Sequence, residues 1–590
     1  MAAMLIRSFA SLIVLSSFAG AAFAQAQQQV RPEGAENLQA PQIGAVSAAD
    51  PRAQQAGMAM LRMGGNATDA ALATMIALTV VEPQSSGIGG GGFFVRGAAD
   101  GEVETIDGRE TAPAGATPDW FLNPNGSLPD FRASVESGLS VGIPGNVELA
   151  WEAHKKFGKL PWPVLFGPAI ELARKGFAVN GRLYKSLTDS AEFVAKSDEA
   201  KAWLLQPDGT PKPVGTLVKN EALADTLDAI ASGGPQAFYG GAVAGAIVSK
   251  VASAMPKPGA MTESDLAAYQ AKMRDAVCGS YRGYRLCGMG PPTSGGVAVL
   301  QILGMLERFD LKRMGIDNPE TWHLFLEAQR LAYADRELYL ADTDFVQVPV
   351  SGLIDANYLA KRSALIKSDT SLAVAKAGTP SGASQALADG DEGPEHGTSH
   401  LAAVDAEGTM VSYTTTIESA FGSGMMAKGF FLNNELTDFS RSPSIDGKPV
   451  ANRVEGGKRP RSSMSPFVVW DAEGRPVLAI GAAGGSTIPV QTARSIIGVI
   501  DFGLPPEEAL GLPFLMAFGN QVMVEKGTWL EQAIPAFKAL GHTQIVAREA
   551  PVKGGAVGLV GSEWQSARDP RLGDSVATVV PDGERGASLP

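Results

Sequence analysis

The sequence predicts a layered α/β sandwich in which both halves of the chain contribute to one core. Segments with helical spacing and segments with β patterning occur in both halves, and hydrophobic residues, 45% of the 590 residues, are spread evenly. One long low-complexity loop, residues 377–397, separates a mainly helical part from a β-rich part. Long loops in compact domains are usually functional or flexible, so this loop is the most informative place in the chain.

The first 24 residues have the pattern of a cleavable export signal. Arg7 is the only charge before an apolar run at 12–18, and Ala22 and Ala24 frame a small-x-small cleavage site. The run is too short to span a bilayer, and no later segment offers about twenty uninterrupted apolar residues. We therefore expect a soluble, periplasmic or secreted protein with no membrane span, which starts with a disordered segment at 25–44.

Helical spacing begins near residue 48. Asp50 and Pro51 are suited to the N-cap and first position of a helix that ends at Gly64 and Gly65, and Asn66 is suited to cap the next helix. A short strand is predicted at 93–96, and further helices at 146–157, 163–175, 221–232, 297–308 and 318–342. After residue 398 the pattern predicts strands at 399–405, 409–417, 465–470 and 477–481.

Charge and glycine spacing exclude two classes of ligand. The formal net charge of −13 argues against nucleic acid and anionic membranes as partners. The glycine run at 87–92 lacks a following Lys-Ser/Thr and does not open a G-x-G-x-x-G helix, which argues against phosphate binding. We expect these glycines to allow a tight turn or close packing instead.

The two cysteines, Cys278 and Cys287, flank a predicted hairpin. A two-residue turn at Arg282 and Gly283 places the cysteines opposite each other, at a non-hydrogen-bonded position with a Cα separation of roughly 4.5 Å. We predict a cross-strand disulfide; two buried free thiols are the alternative. The spacing, without clustered histidines, argues against a metal site, and we predict no metal.

A G-x-S-x-G match at 138–142 is a rival nucleophile motif. The nucleophile elbow of α/β-hydrolases requires a helix directly after its serine, here Ser140. Residues 143–145 (IPG) intervene before the helical pattern at Asn146. Chance matches to this short motif are frequent in a chain with 69 glycines, so we disfavour the elbow.

The end of the long loop resembles a buried proteolytic junction. A cut between Gly397 and Thr398 gives an N-terminal threonine, which holds a hydroxyl nucleophile and an amine base in one residue. An unperturbed α-amine has a pKa of about 7.7–8.0, so it can act as the base near neutral pH. The alternative is that Gly397 and Thr398 only begin a strand.

Two further features suit acyl transfer. A three-residue loop with Gly408 in the left-handed position pairs Asp405 with Thr409, and this register places Thr398 opposite Thr416. The stretch 481–486 (GAAGGS) follows a strand, where glycines turn adjacent backbone N–H groups toward a reacting carbonyl. Ordinary threonine-rich strands and a plain turn are the alternatives.

Separate blocks along the chain resemble the γ-glutamyltransferases (γ-glutamyl transpeptidases or glutathione hydrolases), which are N-terminal-nucleophile hydrolases. These blocks lie at 65–71, 291–296, 429–440, 459–466 and 484–486, in the family's order. The resemblance runs from about residue 45 to 574. It implies a four-layer αββα sandwich and autocleavage into a large subunit, 45–397, and a small catalytic subunit, 398–590. It also implies that the donor is a γ-glutamyl compound such as glutathione and that the acceptor is water, an amino acid or a peptide. No cofactor is implied.

By the same resemblance, individual residues receive roles. Thr398 is the nucleophile with Thr416 beside it, and the amides of Gly484 and Gly485 form the oxyanion hole. The residues implied to bind the substrate α-carboxylate are Arg109, Ser462 and Ser463, and those implied to bind the α-ammonium are Glu435 and Asp438. A guanidinium fork suits a carboxylate, and paired carboxylates suit an ammonium group.

Two departures from the family pattern affect specificity. Glu418 stands where asparagine is more usual, which brings a third acid near one ammonium and favours an amino-bearing donor over a glutaryl group. Residues 441–461, which resemble a lid, contain no aromatic residue, so we expect a more open and more hydrolytic site.

Two other functions remain open at this stage. The first keeps the fold and nucleophile but takes a different amide, such as a glutaryl side chain or a polyglutamate. The second is a non-catalytic exported binding protein, which would remain a single uncut chain.

Overall fold

The computed structural model describes residues 42–383, 387, 388, 390 and 397–576. Its strands are β1 Gly44–Ala48, β2 Gly91–Gly97, β3 Val103–Gly108, β4 Phe177–Ala178, β5 Leu217–Val218, β6 Lys272–Arg274, β7 Val277–Tyr281, β8 Tyr284–Gly288, β9 Ser399–Asp405, β10 Met410–Thr416, β11 Met426–Ala427, β12 Phe430–Phe431, β13 Ser444–Ile445, β14 Lys448–Pro449, β15 Phe467–Trp470, β16 Pro476–Ala483, β17 Leu515–Phe518, β18 Gln521–Glu525, β19 Gln544–Arg548, β20 Lys553–Val560 and β21 Glu563–Arg568.

The helices occur mostly in runs between groups of these strands. They are α1 Pro51–Arg62, α2 Ala67–Val81, α3 Phe131–Glu136, α4 Asn146–Phe157, α5 Gly167–Lys175, α6 Gly181–Val194, α7 Asp198–Leu204, α8 Glu221–Gly233, α9 Gln236–Tyr239, α10 Gly241–Ala252, α11 Glu263–Ala267, α12 Gly295–Leu306, α13 Leu311–Met314, α14 Pro319–Tyr339, α15 Val350–Leu353, α16 Ala356–Ser363, α17 Ile488–Ile500, α18 Pro506–Gly511, α19 Trp529–Gln532 and α20 Ile534–Ala539. Among the described residues, no helix combines the length and apolar character that a membrane crossing requires.

Two six-stranded sheets form the centre of the fold. Their strand orders are β1-β9-β10-β2-β3-β6 and β21-β20-β16-β15-β8-β7, and β9 and β10 of the first sheet pack on β16 and β20 of the second. Apolar side chains such as Val404, Val468 and Val557 fill the space between them. Helix α2 covers the outer face of the first sheet, and α12 and α17 cover that of the second. The predicted four-layer αββα sandwich is confirmed.

Helices α1 and α2 begin where the sequence places them. The Asp50 side chain accepts a hydrogen bond from the Arg52 amide, with Pro51 at the first helical position. Asn66 forms a reciprocal capping box with Asp69 at the start of α2. Every residue of α2 is buried, as expected of a helix that is apolar on all sides and packs between a sheet and other helices.

Both central sheets mix strands from before and after Thr398. In the first sheet β9 and β10 lie between β1 and β2, and in the second β15 and β16 lie between β8 and β20. A cut between Gly397 and Thr398 therefore leaves each sheet built from both pieces. This arrangement confirms the prediction that the two halves of the chain share one core.

Several local expectations are refined by the structure. The predicted helix at 163–175 is a 3-10 turn, Trp162–Phe166, followed by α5, because Pro168 has no N–H for a continuous helix. Gly44 was expected at the end of a disordered segment, but it begins β1. The export signal and residues 25–41 lie outside the described residues. Ser140 is buried in a 3-10 turn and its hydroxyl donates to the carbonyl oxygens of Val135 and Ser137, so it is not an elbow nucleophile.

The glycine run allows close backbone approach, as expected. A Cβ at Gly90 would lie 1.9 Å from the Thr416 carbonyl oxygen, and one at Gly89 would lie 2.0 Å from that of Phe431. The run therefore lets the end of β10 and the 429–440 block pack directly against the start of β2.

The predicted disulfide is confirmed. Cys278 and Cys287 are paired across the β7–β8 hairpin with a Cα–Cα distance of 4.1 Å, and the turn residues Arg282 and Gly283 have φ values of 52° and 85°. The bond ties an edge strand to its neighbour within the second sheet.

Replacing both cysteines by serine is expected to lower the melting temperature by a few degrees and to leave turnover unchanged. A loop that spans a sequence separation of 9 residues gives about 2–3 kcal/mol in the chain-entropy account of disulfide stabilisation. Differential scanning calorimetry at one fixed scan rate measures the change, and the wild type treated with reductant is the control. Equal melting temperatures would contradict the stabilising role.

Candidate active site

The β9–β10 hairpin places two threonine hydroxyls side by side. Gly408 has a φ of 83° in the connecting loop, and the register runs from Val404 opposite Met410 to Ser399 opposite Thr415. The next step of this register sets Thr398 opposite Thr416, as predicted. The Thr398 Oγ1 donates to the Thr416 Oγ1 at 3.4 Å, and the Thr416 Oγ1 also accepts from the Glu418 amide at 2.8 Å.

The backbone at the predicted junction is tightly constrained. A Cβ at Gly397 would lie 1.8 Å from the Glu418 carbonyl oxygen, so only glycine fits there. Thr398 has a φ of 155°, which is an outlier for a β-branched residue. Backbone strain of this kind costs of order 1–3 kcal/mol and collects at functional sites. Both residues are buried, and Thr398 is 4% exposed.

A small cavity, of about 10 Å³, brings most of the predicted residues together. Its lining includes the junction, the second threonine and the predicted substrate-binding groups, namely Gly397, Thr398, Thr416, Arg109, Glu418, Glu435, Asp438, Ser462, Ser463 and Gly485. These residues come from segments as far as 376 positions apart, from Arg109 to Gly485. Of the predicted site residues only Gly484 does not line this cavity.

Gly484 and Gly485 form the turn between β16 and α17. Their φ values are 128° and 59°, and the Gly484 carbonyl accepts a hydrogen bond from the Thr487 hydroxyl at 2.7 Å. The Gln491 amide group holds the carbonyl of Ala483 at 2.8 Å, which fixes the start of the turn. The Gly485 amide donates no hydrogen bond to any described residue, so it is available to a group in the cavity.

Arg109 follows β3 and lines the same cavity as the two threonines. It is 1% exposed, and its two terminal nitrogens form ion pairs with Glu435 and Asp438. Its remaining donors reach main-chain oxygens: Nε donates to Pro460 at 3.2 Å, and Nη2 donates to Arg461 at 3.0 Å. The arginine and both acids thus stand as one pre-assembled cluster.

Burial shapes the charge of this cluster. Burial raises the pKa of Glu110 to about 8, and it raises the pKa of Glu435 well above its usual range, although Arg109 opposes both shifts. Burial acts to lower the pKa of Arg109, but the neighbouring carboxylates outweigh it, so the guanidinium stays charged. A nearby cation would favour the charged forms of these acids, so with Asp438 and Glu418 also in the cavity lining the cluster suits a positively charged ligand group.

Glu418 is held in place by hydrogen bonds from neighbouring side chains. The Asn434 amide group and the Ser419 hydroxyl both donate to its Oε2. Glu418 has a φ of 71°, an unusual backbone conformation that turns the chain directly after Thr416. Asn434 was not predicted as a site residue; only its position in the 429–440 block pointed to it.

The serine pair is supported by the 291–296 block. The Ser294 hydroxyl donates to the Ser462 carbonyl at 2.7 Å, and the Arg336 guanidinium donates to the Ser463 hydroxyl at 2.8 Å. The Ser462 hydroxyl accepts from the Met464 amide at 3.1 Å. Sequence patterns identified the block but did not show that it bonds Ser462, or that Arg336 of α14 bonds Ser463.

Sequence analysis missed Lys553 altogether. This residue begins β20, pairs with Ala483 at the end of β16, and donates through Nζ to the carbonyl oxygen of Thr398. A single lysine at the start of a strand carries no motif, and only the three-dimensional structure brings it under the proposed nucleophile.

Comparison with known proteins identifies the family. The family model described as Gamma-glutamyltranspeptidase matches residues 53–579. The chain belongs to the γ-glutamyltranspeptidase family. The glutathione hydrolase proenzyme of Bacillus subtilis (strain 168) is 38% identical over 481 residues, with 80% of each chain covered. That of Escherichia coli (strain K12) is 37% identical over 525 residues, which cover 85% of this chain and 88% of the relative.

The family also includes relatives with another name. The Acylase ACY 1 proenzyme of Pseudomonas sp. (strain SE83) is 36% identical over 524 residues, which cover 87% of this chain and 88% of the relative. Among solved structures, a cephalosporin acylase from Bacillus halodurans superposes with a TM-score of 0.78 at 27% identity, covering 90% of this chain and 95% of that one. The γ-glutamyltranspeptidase of Helicobacter pylori gives 0.55 at 38% identity, covering 56% and 94%.

Family membership therefore leaves the choice of amide to the residues of the cavity. Glutathione hydrolases and an acylase match this chain at 36–38% identity, so identity alone does not distinguish their substrates, and the cluster around Arg109 is the charged part of the cavity. In this chain that part of the site holds one arginine and several acids.

Proposed function

We propose that this chain is a self-processing enzyme that hydrolyses and transfers the γ-glutamyl group of glutathione and related amides, with Thr398 as its nucleophile. The observation that carries the proposal is that one cavity is lined both by the Thr398–Thr416 pair and by the Arg109 cluster. A γ-glutamyl group needs both sets of groups: it has an amide carbonyl to be attacked, and it has an ammonium and a carboxylate on one carbon to be bound.

The first reaction is the cut between Gly397 and Thr398. The Thr398 Oγ attacks the Gly397 carbonyl carbon, a new ester C–O bond forms, the peptide C–N bond breaks, and the hydroxyl proton passes to the nitrogen. Water then hydrolyses the ester, which frees the Gly397 carboxylate and restores the Thr398 hydroxyl beside the amine that the C–N cleavage released. The φ of 155° at Thr398 and the space for glycine alone at 397 support this step, because strain at the junction is released by the cut.

The same oxygen then acts in turnover. The freed amine takes the proton from the Thr398 Oγ as it attacks the γ-carbonyl, and it passes this proton to the leaving amine. The amide of Gly485, with that of Gly484, is assigned to the oxyanion. Water or an amino-acid acceptor resolves the ester, and no cofactor takes part in these steps.

Recognition of the donor is assigned to the charged and hydroxyl-bearing residues that line the same cavity. Arg109, Ser462 and Ser463 would bind the α-carboxylate, whereas Glu418, Glu435 and Asp438 would bind the α-ammonium. A donor zwitterion brings one charge of each sign, so it can replace the internal ion pairs of Arg109 without leaving any buried charge alone. A glutaryl group supplies only the negative charge.

The proposal is tested first by intact mass and by turnover of two anilides. We expect two fragments, one of which begins at Thr398, and hydrolysis of γ-glutamyl anilide well above that of glutaryl anilide. Faster turnover of glutaryl anilide would favour an acylase instead, the function suggested by the ACY 1 relatives. One uncut, inactive chain would favour a binding protein.

The Glu418→Gln variant should lower the preference for γ-glutamyl over glutaryl anilide by about 10- to 100-fold. A hydrogen bond to a charged group contributes about 1.5–3 kcal/mol. Only the γ-glutamyl anilide has an ammonium group that would lose its charged hydrogen bond to Glu418, because the glutaryl anilide has no ammonium. The ratio of the two kcat/KM values measures the effect. Glu473→Gln, the same change at an acid that is 69% exposed, is the control. An unchanged ratio in Glu418→Gln would remove Glu418 from donor recognition.

A further inference from the structure

Arg336 of α14 is buried beside the serine pair without belonging to the predicted machinery. Its side chain is 3% exposed. The Nη2 group donates to the Ser463 hydroxyl at 2.8 Å, and Nε donates to the Ser294 hydroxyl at 2.9 Å. A buried guanidinium is costly unless its N–H groups have acceptors, and here two of those acceptors are hydroxyl groups at the edge of the donor cavity.

The contact with Arg336 sets the direction of hydrogen bonding at Ser463. A guanidinium has donors only, so the Ser463 oxygen must accept in this contact. The single proton of the hydroxyl is not used there and is directed to an acceptor other than Arg336. Ser463 lines the donor cavity, and a carboxylate bound in that cavity is a group that only accepts.

A second path leads from Arg336 to Ser462. The Ser294 hydroxyl accepts from Arg336 and donates to the Ser462 carbonyl oxygen at 2.7 Å. The hydroxyl of Ser462 itself accepts from the Met464 amide at 3.1 Å, so its proton also is not used in that contact. Arg336 therefore supports the main chain of one serine and the hydroxyl of the other.

The charge of Arg336 is balanced by Glu337. This carboxylate forms ion pairs with Arg336 and with Arg461, and the two guanidinium groups outweigh burial and lower the pKa of Glu337 to about 2. The main-chain oxygen of Arg461 in turn accepts from Nη2 of Arg109 at 3.0 Å. One carboxylate thus connects Arg336 to the segment that supports Arg109.

We propose that Arg336 is a positioning residue for recognition of the donor α-carboxylate, because it holds the Ser463 hydroxyl as a hydrogen-bond donor to that carboxylate. This inference rests on the proposed function, in which Ser463 binds the α-carboxylate of a γ-glutamyl group. Arg336 acts through Ser463 and takes no part in making or breaking a covalent bond.

The expected effect is confined to donors that have an α-carboxylate. This carboxylate lies away from the amide bond that breaks, so its contacts stabilise the bound donor and the transition state alike. Their loss raises KM and leaves kcat nearly unchanged. The anilide of 4-aminobutanoic acid has the same chain and amine without the carboxylate, so its turnover should not respond.

The test compares Arg336→Gln with Arg336→Lys by the ratio of kcat/KM for γ-glutamyl anilide to that for 4-aminobutanoyl anilide. Glutamine has no charge, and its oxygen can accept the Ser463 proton and so turn it away from the donor. We expect the ratio in Arg336→Gln to fall about tenfold, mainly through KM. Lysine has donors only, so Arg336→Lys should keep the ratio within about threefold of the wild type.

Two further variants show whether the effect passes through Ser463. In a Ser463→Ala background, Arg336→Gln should change the ratio by less than about twofold, because residues that act through one contact are not additive. A further tenfold fall there would mean that Arg336 does not act through Ser463. The matched control is Arg308→Gln, since Nε of Arg308 also donates to a serine hydroxyl, that of Ser363 at 2.9 Å, outside the cavity lining.

The outcomes separate this inference from the proposed function. A wild type that is never cut or never turns over γ-glutamyl anilide defeats the proposed function itself. A cut Arg336→Gln enzyme that loses activity equally toward both anilides, or loses none, overturns the role of Arg336 alone. If Arg336→Gln is not cut, Arg336→Lys decides: a ratio within about threefold of the wild type supports the inference, and a larger fall overturns it.

Discussion

Alanine in place of Thr398 is expected to give one uncut polypeptide without measurable turnover of γ-glutamyl anilide. The hydroxyl is the proposed attacking group in both the cut and the turnover, so one substitution removes both reactions. Loss of a nucleophile in enzymes of this kind of chemistry costs about 10⁴-fold or more in kcat. Intact mass reports the cut, and anilide hydrolysis reports the turnover.

The matched control is Thr398→Ser, which retains a hydroxyl at the same position. We expect it to be cut and active, at lower rates. The hydroxyl of Thr416, 3.4 Å from that of Thr398, remains in both variants. The Thr398→Ala variant therefore also tests whether the Thr416 hydroxyl can replace that of Thr398 as the nucleophile. A Thr398→Ala chain that is still cut after Gly397, or that still hydrolyses the donor, would rule out Thr398 as the nucleophile.

The Arg109→Gln variant should be cut normally and yet lose about 100- to 1,000-fold in kcat/KM for γ-glutamyl anilide. The side-chain hydrogen bonds of Arg109 run to Glu435, Asp438 and main-chain oxygens, and none is to Gly397 or Thr398, so we expect the cut not to depend on it. Two hydrogen bonds to the α-carboxylate contribute about 3 kcal/mol or more to donor binding, which corresponds to that factor. A cut but inactive enzyme distinguishes this variant from Thr398→Ala.

The fold should survive this change. Without the guanidinium, Glu435 can take up a proton, because burial already raises its pKa well above the usual range. Melting temperature monitors the fold, and Arg441→Gln, at a half-buried arginine outside the cavity lining, is the control. A kcat/KM for Arg109→Gln within tenfold of the wild type would contradict the assignment of Arg109 to the donor carboxylate.

Local features of the fold were predictable from sequence because their causes are local. The caps at Asp50 and Asn66, the turn at Gly408 and the cysteine pairing each depend on residues only a few positions apart. The strand register followed from the loop length, which placed Thr398 beside Thr416. Helix α5 was less well predicted, because apolar periodicity continues through Pro168 whereas the backbone hydrogen bonds cannot.

The candidate site was predictable only in part. The resemblance to the family predicted the roles of Arg109, Glu435 and the two serines. No sequence pattern indicates that Arg109 forms ion pairs with two acids, because this pairing depends on tertiary packing. Lys553 lies 155 positions from Thr398, in a segment without a motif, and its contact with the Thr398 carbonyl depends on how β20 lies beside β16. Long-range contacts of single residues have no signal in one sequence.

The interleaved sheets have a consequence for the lifetime of the enzyme. Once the chain is cut, separating the two pieces would break the backbone hydrogen bonds between β1 and β9, between β10 and β2, and between β8 and β15. It would also expose the apolar side chains packed between the two sheets. Dissociation is then equivalent to global denaturation, so the two polypeptides should not exchange between molecules under native conditions. The nick thus creates a new chain end inside the molecule without creating a subunit that can leave it.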